Sequence, residues 1–252
     1  MYEGHIRFHP LDPDSGLVPE IAEFGPLSER SGGTGIILIA VPDIETPSWC
    51  ARTAAALVST WSARGARILL ADVSLAEPVL HDVFGLPNSE GIANVIMDRA
   101  QLRKVGRRVG TPEFPFISAG TAPGDVADVM RSDRWDVVFE ALGAADVDLV
   151  MYAPADLPGL DALLRRSPIV LLLGGDPDAA AEAMGALGLS ETVGLRPPVG
   201  EGVPGDVAPP VAPQVTPEVV PCRKNLVRFG PGALPADAQA QRTRRRPLKS
   251  SM

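Results

Sequence analysis

Residues 35–58 have the sequence GIILIAVPDIETPSWCARTAAALV, in which an apolar run is followed by a helical pattern. Its first seven residues form a continuous apolar run rich in isoleucine, which is typical of a strand buried on both faces of a sheet. Thr46 and Pro47 then predict a helix start, with the threonine as N-cap and the proline at the first helical position. The pattern predicts that this helix runs to about Ala63. A buried strand that leads directly into a helix indicates an α/β domain.

The alternation of strand and helix continues along the chain to residue 196. Further strands are predicted at 66–73, 114–120, 147–153, 168–175 and 191–196, and helices at 89–99, 124–145, 159–166 and 176–188. Repeated alternation of this kind favours a mostly parallel central sheet with helices on both faces, a three-layer α/β architecture.

Composition divides the chain into four parts. Residues 1–34 are polar and rich in turn residues, and we expect a leader there, ahead of a domain at 35–196. Residues 197–221 contain eight prolines and predict a semi-rigid linker. Residues 222–252 predict a basic, disordered tail.

Charge and cysteine usage narrow the classes of function. The net charge is −8, yet residues 223–252 hold eight Lys or Arg and one acid, so the acidic excess lies in residues 1–222. An acidic body is not expected to bind nucleic acid. Cys50 and Cys222 have no metal-site spacing and predict free thiols in a reducing cytoplasm. Neither a signal peptide nor an apolar run of about 18 residues is evident.

Three blocks then carry a family resemblance. Residues 65–96 contain Asp72 at a strand end, followed by Pro, His, Phe-Gly-Leu and a Gly-Ile turn into a helix, and two further blocks follow at 112–142 and 146–164. In order and spacing they resemble the bacterial tyrosine kinases (BY-kinases) of capsule and exopolysaccharide systems, a branch of the MinD/ParA-like P-loop ATPases. The resemblance covers residues 35–196 and implies the P-loop NTPase-like fold.

The phosphate-binding loop of that family is degenerate in this sequence. A P-loop needs glycines around the phosphates, a Lys that reaches them and a Ser or Thr that holds Mg²⁺. The resemblance places Trp49, Cys50 and Ala51 where the family has Gly, Lys and Ser/Thr. Taking Arg52 as the Lys still leaves no glycine in the loop. Asp43 and Glu45, just before the helix, would also compete with phosphate for the helix dipole.

The other nucleotide-binding positions are degenerate as well. Asp72 remains, but Ser74 replaces the second acid of the family's Asp-x-Asp, and Tyr152 or Ala153 falls where the next strand should end in a carboxylate. Asp72 is therefore either a relic of a metal site or a strand-end residue that hydrogen-bonds a neighbouring loop. The family's adenine-side Asn and C-terminal tyrosine cluster have no counterpart. We expect no catalytic residue, no metal and no cofactor, with Cys50 as a nucleophile the weaker alternative.

The resemblance implies a setting rather than a reaction. The predicted function is a pseudo-ATPase that regulates or scaffolds polysaccharide synthesis and export, located in the cytoplasm and peripherally at the inner membrane. The expected partner is a membrane polysaccharide co-polymerase or an active homologue, with homo- or hetero-oligomers allowed. Alternatives are a degenerate MinD/ParA-like positioning or partition protein and an active BY-kinase-like ATPase. The tail is either solvated or docks on anionic lipid or an acidic protein face through a basic run: Arg242, Arg244, Arg245, Arg246 and Lys249.

Overall fold

A computed structural model describes residues 5–15, 35–41, 47–167, 169–189 and 191–198. The strands are β1 (His5–Pro10), β2 (Gly35–Ala40), β3 (Ile68–Asp72), β4 (Arg107–Val109), β5 (Phe114–Ile117), β6 (Asp148–Pro154), β7 (Ile169–Leu173) and β8 (Glu191–Arg196). The helices are α1 (Pro47–Ala63), α2 (Leu80–Val83), α3 (Ile92–Met97), α4 (Leu102–Val105), α5 (Val126–Arg131), α6 (Arg134–Ala144), α7 (Leu160–Leu164) and α8 (Pro177–Leu187).

The strands form one eight-stranded sheet in the order β1-β8-β7-β2-β6-β3-β5-β4. All neighbours are parallel except β4 and β5, which are antiparallel. The carboxyl ends of the parallel strands therefore meet at one edge of the sheet, where ligands bind in open α/β folds. The predicted fold class, a mostly parallel sheet with helices on both faces, is confirmed.

Both faces of the sheet are covered. Ile36 and Leu38 of β2 pack in the same buried cluster as α1, whereas Ile37 and Ile39 point to the other face and are equally buried. The connections from β2 to β3 and on to β5 run in one direction along the sheet, and those from β5 to β8 run back. Right-handed crossovers place the helices of these two runs on opposite faces.

One strand lies in the part of the chain that we expected to be a leader. β1 pairs in parallel with β8, so the sheet begins about 30 residues before Gly35. In β1, Arg7 and Pro10 are exposed and Ile6, Phe8 and His9 are only partly buried, as expected of an edge strand. Because the prediction relied on continuous apolar runs, it identified strands buried on both faces and missed this one.

The long helix predicted at 124–145 is two helices, which corrects that expectation. α5 ends before Ser132, whose backbone is extended, and α6 begins two residues later. The break lets Trp135 turn into the core, where it is fully buried and its indole Nε1 donates to the carbonyl of Val129 at 2.9 Å. Helical periodicity continues across the break, and the prediction relied on it, although Ser132 and Asp133 are residues typical of a helix start and the Ser132 hydroxyl accepts from the Arg134 amide at 3.3 Å.

Most of the predicted linker and the whole basic tail lie outside the described residues. Within the described ranges, no helix is both long enough and apolar enough to cross a membrane.

Candidate functional site

Helix α1 begins next to the carboxyl end of β2, where the sequence predicted a degenerate phosphate loop. Pro47 is its first residue, and Cys50 lies in the first turn. Thr46, Asp43 and Glu45 fall outside the described residues, so their predicted roles stay predictions.

Cys50, at the position of the family's Lys, is buried in the core. Its side chain is 2% exposed, and its thiol donates to the carbonyl oxygen of Leu173, the last residue of β7, at 3.4 Å. The amide of Val41, at the end of β2, donates to the same carbonyl at 2.8 Å. Cys50 thus links α1 to the strand ends, and a buried thiol held in this way is poorly placed to act as the alternative nucleophile.

Trp49, at the position of the family's Gly, contacts a segment that follows β1. We call residues 11–15 the β1 extension. The indole Nε1 of Trp49 donates to the carbonyl of Leu11 at 3.2 Å, and Leu11 itself is buried. The β1 extension therefore lies against the first turns of α1, a contact between residues 38 positions apart that no local pattern could predict.

The described residues that follow Cys50 in α1 also lack the arrangement of a P-loop. Ala51 is buried and offers no hydroxyl for Mg²⁺. Arg52 is exposed, and its guanidinium pairs with the Asp14 carboxylate of the β1 extension. Thr53, the hydroxyl that would follow Arg52 in a shifted frame, is fully buried and therefore not presented beside it.

Asp72 organises the loop after β3. One carboxylate oxygen accepts the amide of Ser74 at 3.0 Å and the Ser74 hydroxyl, and the other accepts the amides of Val79 at 3.2 Å and Leu80 at 3.0 Å. The residue is 0% exposed, and this burial raises its pKa, while the hydrogen bonds from Ser74, Leu80 and Val79 act in the opposite direction. Both oxygens are engaged within the chain, which supports the structural interpretation of Asp72 over the relic metal ligand.

Tyr152 completes the group on the α1 face of the sheet. It stands beside Asp72 in the β3–β6 register and is buried in the same cluster as Cys50. Burial raises its pKa, and the neighbouring Cys50 and Asp72 add to that shift. The sequence singled out this position only as one that lacked an acid. That its phenol lies close to both Cys50 and Asp72 depends on tertiary packing.

The described residues of the site do not fit a Mg²⁺–nucleotide. Phosphate binding needs a cationic amine and free backbone amides, and Mg²⁺ needs oxygen ligands that face the site. Here the position of the amine holds a buried thiol, and the carboxylate of Asp72 is saturated by four donors. Among the described residues, no group of three or more His, Cys, Asp or Glu side chains could hold a metal ion. The basic run in the tail lies outside those residues.

Comparison with curated proteins gives relatives that are named as tyrosine kinases. No protein-family model matches the chain. The tyrosine-protein kinase YwqD of Bacillus subtilis is 26% identical over 142 residues, or 54% of this chain. A putative tyrosine-protein kinase in the cps region of Klebsiella pneumoniae is 24% identical over 43% of the chain, and the putative kinase CapB of Staphylococcus aureus is 23% identical over 33%. The chain resembles the bacterial tyrosine kinases. The resemblance predicted from the sequence is confirmed.

Solved structures of bacterial tyrosine kinases have the same fold. The kinase domain of VpsO superposes with a TM-score of 0.60 at 14% identity, covering 73% of this chain and 92% of that one. The kinase domain of Escherichia coli ETK gives a TM-score of 0.58 at 17% identity, covering 66% and 67%. At such low identity these likenesses show the fold alone. The matches span 60%, 15% and 36% of the three curated relatives, so the chain corresponds to only part of each.

Proposed function

We propose that this chain is a catalytically inactive relative of the bacterial tyrosine kinases that acts as a regulatory or scaffold subunit in polysaccharide synthesis and export. The proposal rests on the burial of Cys50 at the position of the family's Lys. Its thiol is turned into the core and donates a hydrogen bond to the carbonyl of Leu173. Phosphoryl transfer depends almost entirely on positioning and on stabilising charge. A site without the amine has lost the main source of both.

Two further contacts support the proposal. The β1 extension packs on α1 through Trp49 and Arg52, which takes up the surface beside the first turn of the helix. Asp72 is committed to the backbone of the following loop. Each contact stabilises the fold at a place where the family's motif holds nucleotide, so stability and nucleotide binding compete for the same residues.

The partner and the setting belong to the same proposal. One structural relative is the chimeric protein CapA2B2, with a TM-score of 0.57 at 15% identity, covering 78% of this chain and 93% of that one. We infer a protein partner, either a membrane polysaccharide co-polymerase or an active homologue, and a location in the cytoplasm against the inner membrane. The basic tail, with the Pro-rich linker before it, would contact anionic lipid or an acidic protein face.

An active kinase is the second candidate, because the curated relatives are named as tyrosine kinases. One pair of experiments separates the two. The full chain is incubated with labelled ATP and Mg²⁺ to follow phosphotyrosine, and it is used as bait on native membranes, with and without residues 222–252. Capture of polysaccharide-assembly proteins with no phosphotransfer supports the proposal. Phosphotransfer supports the kinase, and capture of division or partition proteins supports a MinD/ParA-like role.

A further inference from the structure

A cluster of cations lies at the edge of the sheet farthest from β1. Residues 99–108 contain five basic residues and no acid. We call the five basic residues the basic edge. All five are exposed: Arg99, Arg103, Lys104, Arg107 and Arg108. They follow α3, occupy α4 and continue into β4. The Arg107 guanidinium turns back over α4 and donates to the carbonyls of Lys104 at 2.8 Å and Gly106 at 3.2 Å.

The position of β4 at the end of the sheet places these cations far from the acids of α8. β4 ends the sheet, and β7 lies five strands away, roughly 24 Å at the usual spacing between strands. The acids of α8, which follows β7, are thus about three Debye lengths away at physiological ionic strength. The nearest acids in sequence are Asp98 and Glu113, and the latter lies 4.0 Å from Arg108. The edge is a positive surface on an otherwise acidic domain.

An exposed apolar side chain adjoins the basic edge and favours a lipid surface over nucleic acid. Met97, the last residue of α3, is 51% exposed, the largest value among the exposed large hydrophobics of the described residues. A membrane interface rewards an apolar side chain flanked by cations. Single-stranded nucleic acid would require stacking platforms, and residues 97–108 contain no aromatic side chain.

We propose that the basic edge, together with Met97, is a docking surface for anionic membrane lipid. The domain would stand on the membrane by this end of its sheet, with the acidic half turned away. The surface is distinct from the basic tail, and it does not depend on the proposed role in polysaccharide export. Each cation near an anionic leaflet strengthens binding roughly fivefold.

Vesicle sedimentation of the full chain tests the proposal. The vesicles contain roughly 30% phosphatidylserine in phosphatidylcholine, or phosphatidylcholine alone, at about 0.1 M salt. To separate the two surfaces, the background is a full-length chain in which the four arginines of the basic run in the tail are changed to Gln: Arg242→Gln, Arg244→Gln, Arg245→Gln and Arg246→Gln. The test variant adds Arg103→Gln and Lys104→Gln, both exposed. The control adds Arg64→Gln and Arg165→Gln, exposed residues outside the edge with the same loss of charge.

The test variant should bind anionic vesicles roughly 25-fold more weakly than the background, from about fivefold per charge, whereas the control should bind within about twofold. Raising the salt should release the background protein. Three outcomes would each overturn the proposal: no binding of the background to anionic vesicles, equal weakening by test and control variants, or equal binding to neutral vesicles. Tighter binding of a DNA oligonucleotide that is lost in the test variant would assign the edge to nucleic acid instead. Circular dichroism confirms that every variant is folded.

Discussion

Restoring the family's lysine at position 50 should destabilise the protein rather than repair a nucleotide site. Cys50 is 2% exposed and lies in a cluster with Leu11, Tyr152 and Leu173. In Cys50→Lys the ammonium would be buried among these side chains. A buried lysine can have its pKa lowered from about 10.4 to about 6.

The magnitude follows from linkage. Because burial lowers the pKa of the introduced lysine in the folded protein, the loss in free energy of unfolding is absent above the unfolded pKa. That loss grows as the pH falls. At about pH 7 it is about 4–5 kcal/mol, from roughly 3.4 pH units at 1.36 kcal/mol each. Overpacking adds about 1–3 kcal/mol, and a hydrogen bond to the Leu173 carbonyl offsets about 1 kcal/mol. The sum is comparable to the whole stability of a typical domain, about 5–15 kcal/mol.

Urea denaturation followed by tryptophan fluorescence measures this cost. The matched control is Ser48→Lys, an exposed position in the same turn of α1, where a change within about 0.5 kcal/mol is expected. The gap between the two variants should narrow by about 2.7 kcal/mol between about pH 7 and about pH 9. A Cys50→Lys protein as stable as its control, or a gap independent of pH, would refute the buried position of residue 50. Gain of ATP binding by a stable Cys50→Lys protein would refute the filled site as well.

Three other changes test the contacts around the site and on the opposite face. Asp72→Asn should lower the free energy of unfolding by about 1–3 kcal/mol, because with its carbonyl on the Val79 and Leu80 amides its NH2 cannot accept from the backbone N–H of Ser74; exposed Asp82→Asn is the control, and equal urea midpoints would argue against a structural Asp72. Trp49→Phe should cost at least about 0.5–1.5 kcal/mol, because it removes the indole donor to Leu11 as well as part of the ring that packs against the core, and an unchanged midpoint would mean that the β1 extension is not held there. A hydrogen bond from Arg166 lowers the pKa of Asp136. The stability that this pair contributes is therefore present above the unfolded pKa of 3.8, and it is lost as the pH falls through the lower pKa of the folded state. The stability gap between wild type and Asp136→Asn should therefore shrink in acid, and a gap that stays constant would contradict the assignment.

The sequence predicts those elements whose pattern is local, and it does not predict those that depend on tertiary contacts. β2, β3, β6 and β7 are buried on both faces, so each is a continuous apolar run that a local pattern identifies. β1 has partly exposed side chains, and its strand character comes from pairing with β8, almost 190 residues away along the chain. The helix break at Ser132 depends on burial of Trp135, which is likewise a tertiary effect.

The candidate site divides in the same way. The substitutions at Trp49, Cys50 and Ala51 are evident once the neighbouring blocks identify the loop. What replaces the lost chemistry is not evident, because the acceptors of the Trp49 and Cys50 hydrogen bonds, Leu11 and Leu173, lie 38 and 123 positions away. Amino-acid composition does not indicate such long-range contacts. The family motif describes a nucleotide site, in which these hydrogen bonds do not form.

Titration of the full chain with a fluorescent ATP analogue and Mg²⁺ measures whether the chain binds nucleotide at the start of α1. The side chains at the start of α1 and the engaged carboxylate of Asp72 predict no saturable binding up to millimolar nucleotide, with or without Mg²⁺. Saturable, Mg²⁺-dependent binding in the micromolar range, competed by unlabelled ATP, would contradict the proposed loss of nucleotide binding. It would then favour the active kinase as the alternative.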